Sequence, residues 1–338
     1  MRIVIVGGSG NIGTAVLRAA LAAGHTVDAV SRRAPAPGGV YDNATWRPLD
    51  LTAAGAGAQL ADLARGADAV VHAAWALQPT HDRGRLRQVN VEGTRVVLDA
   101  VAKAGVPSLV YLSSVGAYAP RASLEPVDEQ WPTTGMPTSA YSQDKAAVES
   151  LLDEFESDFP AVAVTRLRPG LVLQRDAAAE IQRYFVGPLA PRKLWDLLRR
   201  GRLGVLPLPK DLVVQVVHSD DVASAALTAA ERLVRGPVNL AAAPVVDHDA
   251  LARITGNRVV AVPTRPLRSA VTLAWRAHVL PTSPGWYDLA TSVPLLRTDR
   301  AADVLGWAPI HTATEVVAEL LAGLAAGGGV EASPALRP

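Results

Sequence analysis

The chain has 338 residues, 49% of them hydrophobic, and its 33 Lys and Arg against 32 Asp and Glu leave a net charge of +1. This balance creates no global field toward nucleic acid or an anionic membrane, and a cysteine count of 0 excludes a disulfide framework and a thiolate metal site. No apolar run approaches the roughly 20 residues of a membrane helix, and the N-terminal run stops at a glycine, which is untypical of a signal peptide. We therefore expect a cytoplasmic protein with a small-molecule substrate and no nucleic-acid or membrane partner.

Apolar runs alternate with helical patterns along the first half of the chain. Residues 2–6 form a β-branched run typical of a buried strand, and residues 11–24 have helical spacing that ends at a glycine. The further elements that we predict are strands at 26–31, 45–49, 68–74, 108–114 and 161–169 and helices at 84–105 and 139–156. This alternation predicts a doubly wound α/β fold of the Rossmann type, with a parallel sheet covered by helices on both faces.

The alternation becomes irregular in the second half, where Trp, Pro and Arg increase. We predict a dinucleotide-binding domain over 1–169, to which 211–240 returns, and a smaller, irregular C-terminal substrate lobe made of 170–210 and 241–325. The segment 326–338 is rich in Gly, Ala and Pro and is expected to be a disordered tail.

The sequence GGSGNIG follows the first predicted strand and opens the first predicted helix. It fits G-x-G-x-x-G from Gly8 and G-x-x-G-x-x-G from Gly7, and both spacings place a pyrophosphate at a helix N-terminus. A glycine triplet alone is weak evidence, but the strand before it and the helix after it are the context that supports dinucleotide binding. The residues that we expect to contact the cofactor here are Gly7, Gly10, Asn11, Ile12 and Gly13.

The second predicted strand indicates which dinucleotide is bound. Asp28 stands about 20 residues after Gly8, the usual spacing of a ribose-binding acid, but it lies near the start of the strand. The carboxyl end, where ligands bind in such sheets, carries Ser31 followed by Arg32 and Arg33. A hydroxyl and two guanidinium groups suit a 2′-phosphate. We predict NADP, with NAD as the alternative; the two arginines could also be a solvated loop start.

Tyr141 and Lys145 lie one turn apart on a predicted helix and share a face. Carbonyl reduction needs a hydride and a proton for the developing alkoxide, and a nearby cation lowers the pKa of a tyrosine from its usual value of about 10. Lys145 is that cation, and it is long enough to reach a cofactor ribose. Ser114, at the carboxyl end of the fifth strand, is the candidate donor to the substrate oxygen.

Five segments occur in a characteristic order: GGSGNIG (7–13), HAA (72–74), VNVEGT (89–94), YLSS (111–114) and YSQDK (141–145). Together they resemble the short-chain dehydrogenase/reductase superfamily and, more narrowly, its extended, NAD-dependent epimerase/dehydratase branch. Later segments at 165–173, 216–225 and 302–309 resemble that branch as well, so the likeness covers most of the chain.

The resemblance implies roles for further residues. It selects Ser114 over Ser113 as the catalytic hydroxyl and gives Asn90 a supporting catalytic role, although a helix-interior Asn that bonds locally is the alternative. The additional cofactor contacts that it implies are Asp50, Leu51, Ala73, Ala74, Lys145 and Pro169. It also implies a homodimer, formed through helices of the cofactor domain.

Departures from the family pattern bear on the substrate. Sugar-nucleotide enzymes of this branch commonly carry an Asn after the sixth strand, which 168–173 lacks, and an Arg where this chain has Gln215. Asp144 replaces the small residue often found before the Lys. The segment 182–202 is basic and aromatic and is a candidate lid, with a solvated helix as the alternative. The side chains that we expect to line the substrate site are Trp75, Leu77, Pro79, Val115, Leu171, Tyr184, Trp195, Trp286 and Tyr287, with Trp75, Val115, Tyr184 and Trp195 as the main candidates.

Together these observations predict an NADP(H)-dependent oxidoreductase that reduces a small, fairly apolar ketone or aldehyde, or oxidises the matching alcohol. Tyr141 would be its general acid/base. We expect no metal, because His81 and Asp82 have no third ligand nearby in the sequence. Two alternatives remain. One is a nucleotide-sugar epimerase or dehydratase, and the other is a redox sensor that binds a dinucleotide without catalysis.

Overall fold

A seven-stranded parallel sheet forms the centre of the protein. The structure, a computed structural model, describes residues 1–78, 80–187 and 190–338. In spatial order the strands are β10 (Gly236–Leu240), β6 (Ala163–Pro169), β5 (Ser108–Leu112), β4 (Ala69–His72), β1 (Arg2–Val6), β2 (Thr26–Ser31) and β3 (Thr45–Pro48). The neighbouring pairs are parallel. The predicted doubly wound α/β class is confirmed.

Two layers of helices cover the sheet, and β1 shows how its sequence divides between them. Ile3 and Ile5 pack on one face with the helices at 11–22 and 219–231, whereas Val4 and Val6 pack on the other face with the helices at 56–64, 93–104 and 140–158. This alternation follows from the two-residue period of a strand. The helices are α1 (Asn11–Ala22), α2 (Ala56–Ala64), α3 (Arg83–Arg87), α4 (Gly93–Ala104), α5 (Ala140–Asp158) and α8 (Ser219–Glu231).

A smaller lobe is built on two short parallel strand pairs. The pairs are β7 (Leu171–Leu173) with β9 (Val216–His218), and β8 (Val205–Pro209) with β11 (Arg258–Val262). The helices after the sixth strand of the chain, apart from α8, are α6 (Ala178–Ile181), α7 (Arg192–Arg199), α9 (His248–Thr255), α10 (Thr264–Arg276), α11 (Pro284–Ser292), α12 (Asp299–Leu305) and α13 (Ala313–Ala326). In the described part of the chain, no helix combines the length and the apolar character that crossing a bilayer requires.

The structure differs from the predicted elements in strand bounds and in two helices: β4, β5 and β6 are shorter than the predicted strands 68–74, 108–114 and 161–169. The helix predicted over 84–105 is interrupted by a wide π turn, Gln88–Glu92, between α3 and α4. Such turns often occur at functional sites, and this one carries Asn90. Helix α2 was not predicted.

The segment expected to be a disordered tail packs against the glycine-rich loop instead. Ser333 Oγ donates to the carbonyl of Ser9 at 2.7 Å, and Ala36 N donates to the carbonyl of Ala332 at 2.9 Å. Leu336 is fully buried. Composition predicted disorder here because the segment is small-residue-rich, but one buried serine and one buried leucine give it specific partners.

Candidate active site

The glycine-rich loop joins β1 to α1 and lies against neighbouring backbone. A Cβ at Gly7, where φ is +93°, would lie 2.5 Å from Ala74 N, and one at Gly13 would lie 2.0 Å from the carbonyl oxygen of Gly7. These two positions therefore require glycine for packing. Gly10 differs, because a Cβ there would meet only an oxygen at 3.6 Å.

The N-terminus of α1 fits an anionic dinucleotide. Gly10 is its N-cap, and no side chain among the described residues caps it. The free N–H groups of the first turn and the helix dipole favour a phosphate there. The side chain of Asn11 points elsewhere, because it donates to the carbonyl of Val172 and accepts from Gln174 and Ser219.

The end of β2 presents two cations beside this loop. Ser31 Oγ donates to the carbonyl of Arg33 at 2.7 Å, and both Arg32 and Arg33 are exposed. Asp28 is occupied elsewhere, since it receives a hydrogen bond from Arg2 Nε at 2.8 Å. The strand end therefore offers guanidinium groups and no free acid of its own.

The other predicted cofactor contacts lie on the same edge of the sheet. Thr52 N and Oγ1 donate to Asp50 Oδ1 at 2.9 and 2.7 Å, and these hydrogen bonds lower the pKa of Asp50. Leu51 is buried, and Ala73 N donates to the carbonyl of Val6 at 2.8 Å. Two further predicted cofactor contacts are Ala74, which lies beside Gly7, and Pro169, the last residue of β6.

Ser114 and Tyr141 meet just beyond β5. Ser114 Oγ accepts a hydrogen bond from Gly116 N at 2.9 Å. A Cβ at Gly116 would lie 2.7 Å from Tyr141 Cε1, so the ring leaves room only for glycine. Burial raises the pKa of Tyr141 to about 12, although its hydrogen bond with Ser114 acts to lower it. The phenol is therefore protonated at neutral pH.

Lys145 is buried beneath Tyr141 and points toward the sheet. Its Nζ donates to the carbonyl of Leu112 at 2.6 Å and to the hydroxyl of Tyr111 at 3.1 Å. The same nitrogen lies 3.7 Å from the ring centroid of Trp75, a cation–π contact. Burial lowers the pKa of Lys145 to about 7. The expected lowering of the Tyr141 pKa by this lysine is not found, because burial dominates at both groups.

Behind this pair, Glu149 holds a buried network of charges. It accepts from Ser113 Oγ at 2.5 Å and from Arg168 Nε and Nη2 at 2.9 and 2.8 Å. Burial acts to raise the pKa of Glu149, but the hydrogen bonds and charge of Arg168 outweigh it and lower the pKa. Glu149 also raises the pKa of Lys145, one helical turn before it. Sequence reasoning missed Glu149; its one-turn spacing from Lys145 was the available signal.

His72, at the end of β4, is buried and neutral. Thr94 Oγ1 donates to the carbonyl of Asn90 at 2.6 Å, so it accepts from His72 Nε2 at 3.0 Å. The proton therefore lies on Nε2. Burial, with a smaller contribution from Lys145, lowers the pKa of His72 from 6.5 to about 3.

This shift predicts a loss of stability in acid. Between pH 6.5 and 3 the unfolded chain binds a proton at His72 that the folded protein does not, so the free energy of unfolding falls as pH falls. The amide of His72→Gln can still donate to Thr94 but does not titrate. Between pH 6.5 and 5 we expect the free energy of unfolding of this variant to fall by about 2 kcal/mol less than that of the wild type. Urea unfolding at a series of pH values measures the difference, and parallel profiles would contradict it.

Aromatic side chains enclose Tyr141. The ring centroid of Trp286 lies 4.5 Å from that of Tyr141, and the ring of Trp75 lies 5.9 Å away, edge-on. Phe185 meets Trp286 at 5.0 Å, also edge-on. Phe185 was not predicted, although it adjoins the predicted Tyr184. The wall around the phenol is therefore apolar and largely aromatic.

Backbone carbonyls of the small lobe hold the loop after β4. Gln78 Nε2 donates to the carbonyl of Tyr184 at 2.9 Å, and Thr80 Oγ1 donates to that of Pro281 at 2.9 Å. Thr282 Oγ1 donates to the carbonyl of Phe185. The loop, the turn at 182–186 and the start of α11 thus close together over Tyr141.

Asn90 joins the same loop rather than bonding locally. Its Oδ1 accepts from Ala76 N at 2.7 Å, and its Nδ2 donates to the carbonyl of Ala76 at 3.0 Å. This bidentate clamp holds the loop beside Tyr141. The helix-interior alternative for the Asn90 side chain does not fit these contacts.

The other side chains that we predicted to line the substrate site differ in their contacts and exposure. Trp195 donates to Gln182 Oε1, and Val115 is buried in the cluster that packs against Tyr141. Leu171 is 42% exposed, and Tyr287 directs its hydroxyl to the carbonyl of Thr264, so neither closes the site. Leu77 lines a small cavity beside Tyr141. Pro79 and residues 188–189 of the candidate lid lie outside the described residues.

The fold and the loop geometry define a dinucleotide-binding α/β protein with a Ser, Tyr and Lys at the carboxyl edge of its sheet. Residues 3–241 match the profile of the NAD dependent epimerase/dehydratase family. The chain therefore belongs to that family, as its motifs predicted.

Similar proteins include dehydrogenases and a ketoreductase. An uncharacterized protein of Mycobacterium tuberculosis is 27% identical over 317 residues, which cover 93% of this chain and 29% of that protein. The chain thus spans less than a third of that relative's length. A 3-beta-hydroxysteroid dehydrogenase of Mycolicibacterium neoaurum is 25% identical over 242 residues, 70% of this chain and 62% of the relative. A 4-hydroxy-2-methyl-3-oxo-4-farnesyl-3,4-dihydroquinoline-1-oxide ketoreductase of Stigmatella aurantiaca is 28% identical over 179 residues, 53% of this chain and 52% of the relative.

Solved structures share the fold. A UDP-glucose-4-epimerase from Stenotrophomonas maltophila, with bound NAD and formylated UDP-arabinopyranose, superimposes with a TM-score of 0.72 at 20% identity, covering 97% of this chain and 98% of that one. At this identity the likeness concerns the fold alone.

Proposed function

We propose that the protein is an NADP(H)-dependent oxidoreductase that reduces the carbonyl of a small, fairly apolar ketone or aldehyde. The observation that carries the proposal is the geometry of the site, in which Tyr141 lies beside Ser114 and is enclosed by the rings of Trp75 and Trp286. A protonated phenol can donate to a developing alkoxide, although a pKa raised by burial makes it a weaker acid than one whose pKa lies near the working pH. Membership of the family supports a nicotinamide dinucleotide as the cofactor.

Each residue of the site has a distinct role in this reaction. A nicotinamide cofactor held in this fold would supply the hydride for the carbonyl carbon. Ser114 holds the carbonyl oxygen by donating a hydrogen bond, and Tyr141 gives that oxygen its proton. In its protonated form Lys145 places a positive charge in the same desolvated region, where charge interactions are stronger than in water; its pKa of about 7 makes this charge dependent on pH near neutrality. Asn90 fixes the loop that carries Trp75 and so keeps water from the phenol.

The cofactor would lie along the carboxyl edge. The uncapped start of α1 and the open position at Gly10 suit its pyrophosphate, and Arg32 and Arg33 suit a 2′-phosphate. Lys145 is the residue that we assign to the ribose next to the nicotinamide.

A sugar nucleotide fits this site less well than an apolar carbonyl compound. Gln215 stands where the sugar-nucleotide enzymes commonly have an Arg, and both ends of its side chain are bound to the backbone of Leu296. A neutral, fully engaged amide is a poor partner for a diphosphate. The aromatic wall of Trp75, Phe185 and Trp286 instead favours a ring or an alkyl group.

The test is NADPH oxidation by the purified protein with a panel of aliphatic and aromatic ketones and aldehydes, acetophenone included. We expect turnover that requires Tyr141. Rates no higher than those of Tyr141→Phe across the whole panel would refute the proposed reaction.

The cofactor preference gives a separate prediction. In the double variant Arg32→Ser/Arg33→Ser, we expect the Kd for NADPH to rise roughly 10- to 100-fold with little change for NADH, because charge-assisted hydrogen bonds to the 2′-phosphate are lost. Titration calorimetry with both cofactors measures this. Arg65→Ser is the matched control, since Arg65 is exposed at the opposite, amino end of the sheet, where its carbonyl accepts from Arg2. Equal losses for the two cofactors would contradict the NADP assignment.

A further inference from the structure

Asp144, the acidic residue directly before Lys145, has a carboxylate that the proposed mechanism does not use. It is 1% exposed, and neither of its oxygens receives a well-aligned hydrogen bond from a described residue, although the side chain of Asn90 is close enough to act to lower the pKa of Asp144. Arg83 Nη2 lies 3.0 Å from Oδ1 and Arg87 Nη1 lies 3.7 Å from it, so cations flank the group from the side of α3. A buried carboxylate that lacks hydrogen-bond donors is costly unless something else supplies one.

The carboxylate lines a small cavity that also reaches the catalytic phenol. The cavity has a volume of about 10 Å³, and Asp144, Tyr141, Asn90, Ala76 and Trp286 are among its lining residues. A space of this size holds one water-sized group. It is thus large enough for a hydroxyl and too small for a phosphate or a sugar ring.

Asp144 is the buried acid of this cavity, which Thr80 and Ser283 also line; the hydroxyl of Thr80 is engaged by Pro281 and Trp275. The Oδ1 and Nδ2 of Asn90 are both engaged by the backbone of Ala76. The hydroxyl of Tyr141 is the proton donor to the carbonyl. Burial raises the pKa of Asp144, while the charges of Arg83 and Arg87 act to lower it and favour the ionised form. In that form the carboxylate only accepts hydrogen bonds, so a ligand group that binds it must be a donor.

We propose that this cavity is a substrate subsite in which Asp144 accepts a hydrogen bond from a hydroxyl on a carbon next to the reacting carbonyl. The inference rests on the proposed carbonyl reduction and narrows its substrate to hydroxy ketones or hydroxy aldehydes with an apolar remainder. An ammonium group is disfavoured, because Arg83 and Arg87 already place two positive charges beside the single carboxylate.

The test compares three ketones that differ at one carbon: acetophenone, 2-hydroxy-1-phenylethanone and 2-amino-1-phenylethanone. For the wild type we expect kcat/KM to be roughly 10- to 100-fold higher for the hydroxy ketone than for acetophenone, the range for a hydrogen bond to a charged group. The amino ketone should gain no such advantage. In Asp144→Ala the ratio should fall to near 1.

Two further variants separate recognition from a structural role. Glu154→Ala removes an exposed acid from the same helix and should keep the wild-type ratio. Asp144→Asn keeps the size of the side chain while losing the charge, so it replaces Asp144→Ala if that variant folds poorly. Its ratio of kcat/KM for the hydroxy ketone to that for acetophenone should lie between the wild-type value and 1. A purely structural Asp144 would lower kcat/KM equally for both ketones and leave the ratio unchanged.

The outcomes distinguish this inference from the reaction on which it rests. Reduction of acetophenone with no preference for the hydroxy ketone, or a preference for the amino ketone, would overturn the subsite while leaving carbonyl reduction intact. Reduction of none of the three ketones, together with failure of the wider panel, would overturn both.

Discussion

Tyr141→Phe is expected to lower kcat for NADPH-dependent carbonyl reduction by about 10²- to 10⁴-fold, the range that general acid catalysis contributes. The variant keeps the ring that packs against Trp75 and Trp286 and removes only the hydroxyl. The remaining rate would come from substrate positioning and from Ser114. Steady-state NADPH oxidation measures the change, with the melting temperature as a check on folding.

Tyr287→Phe is the matched control for that experiment. Its hydroxyl donates to the carbonyl of Thr264 on α10 and is turned away from Tyr141. The control should stay within about twofold of the wild type, because an isolated hydrogen bond outside the site contributes little to the reaction. A Tyr141→Phe variant that is as active as this control would show that the proton comes from another group.

Glu149→Ala is expected to lower the free energy of unfolding by about 3–5 kcal/mol, the usual effect of removing one partner of a buried ion pair. The substitution leaves the guanidinium groups of Arg168 and Arg166 buried, at 3% and 5% exposure, without their shared carboxylate. It also removes the acceptor for the hydroxyl of Ser113. Chemical unfolding at neutral pH gives the value.

The pH dependence of the same variant checks the cause. The pKa of Glu149 is lowered in the folded protein, so its contribution to stability is present above the carboxyl's usual pKa of 4.5 and is lost as pH falls below that value. The gap between the wild type and Glu149→Ala should therefore narrow in acid. Glu154→Ala, on the exposed face of α5, should change stability by less than about 0.5 kcal/mol. A loss below about 1 kcal/mol for Glu149→Ala at neutral pH would contradict the role given to this network.

Most of the central sheet and of the candidate site could be predicted from local sequence patterns. A β-branched run followed by glycines and a helix predicts one structure whatever surrounds it, so β1, the loop and α1 were predictable from residues 2–24. The one-turn spacing of Tyr141 and Lys145 likewise fixes their shared face. A serine was expected just after the fifth strand, since the carboxyl ends of parallel strands meet at one edge, and the family resemblance selected Ser114 over Ser113.

Features that depend on contacts between residues far apart in the chain could not be predicted from local sequence patterns. The direction of Lys145 depends on the carbonyl of Leu112 and the ring of Trp75, which come from two other strand ends. Burial then sets the Tyr141 pKa, against the simple expectation from a neighbouring cation. The backbone of Phe185 is held by Thr282, a contact between residues far apart in the chain that no local pattern indicates.

Transfer of deuterium from NADPH labelled at C4 to the product alcohol tests the central claim most directly. We predict that label on one face of the nicotinamide appears at the carbinol carbon, with one NADPH oxidised for each alcohol formed. Mass spectrometry of the product and absorbance of the cofactor give both numbers. Alcohol without deuterium, or substrate converted with no net oxidation of NADPH, would contradict a reductase that uses Tyr141 as its proton donor.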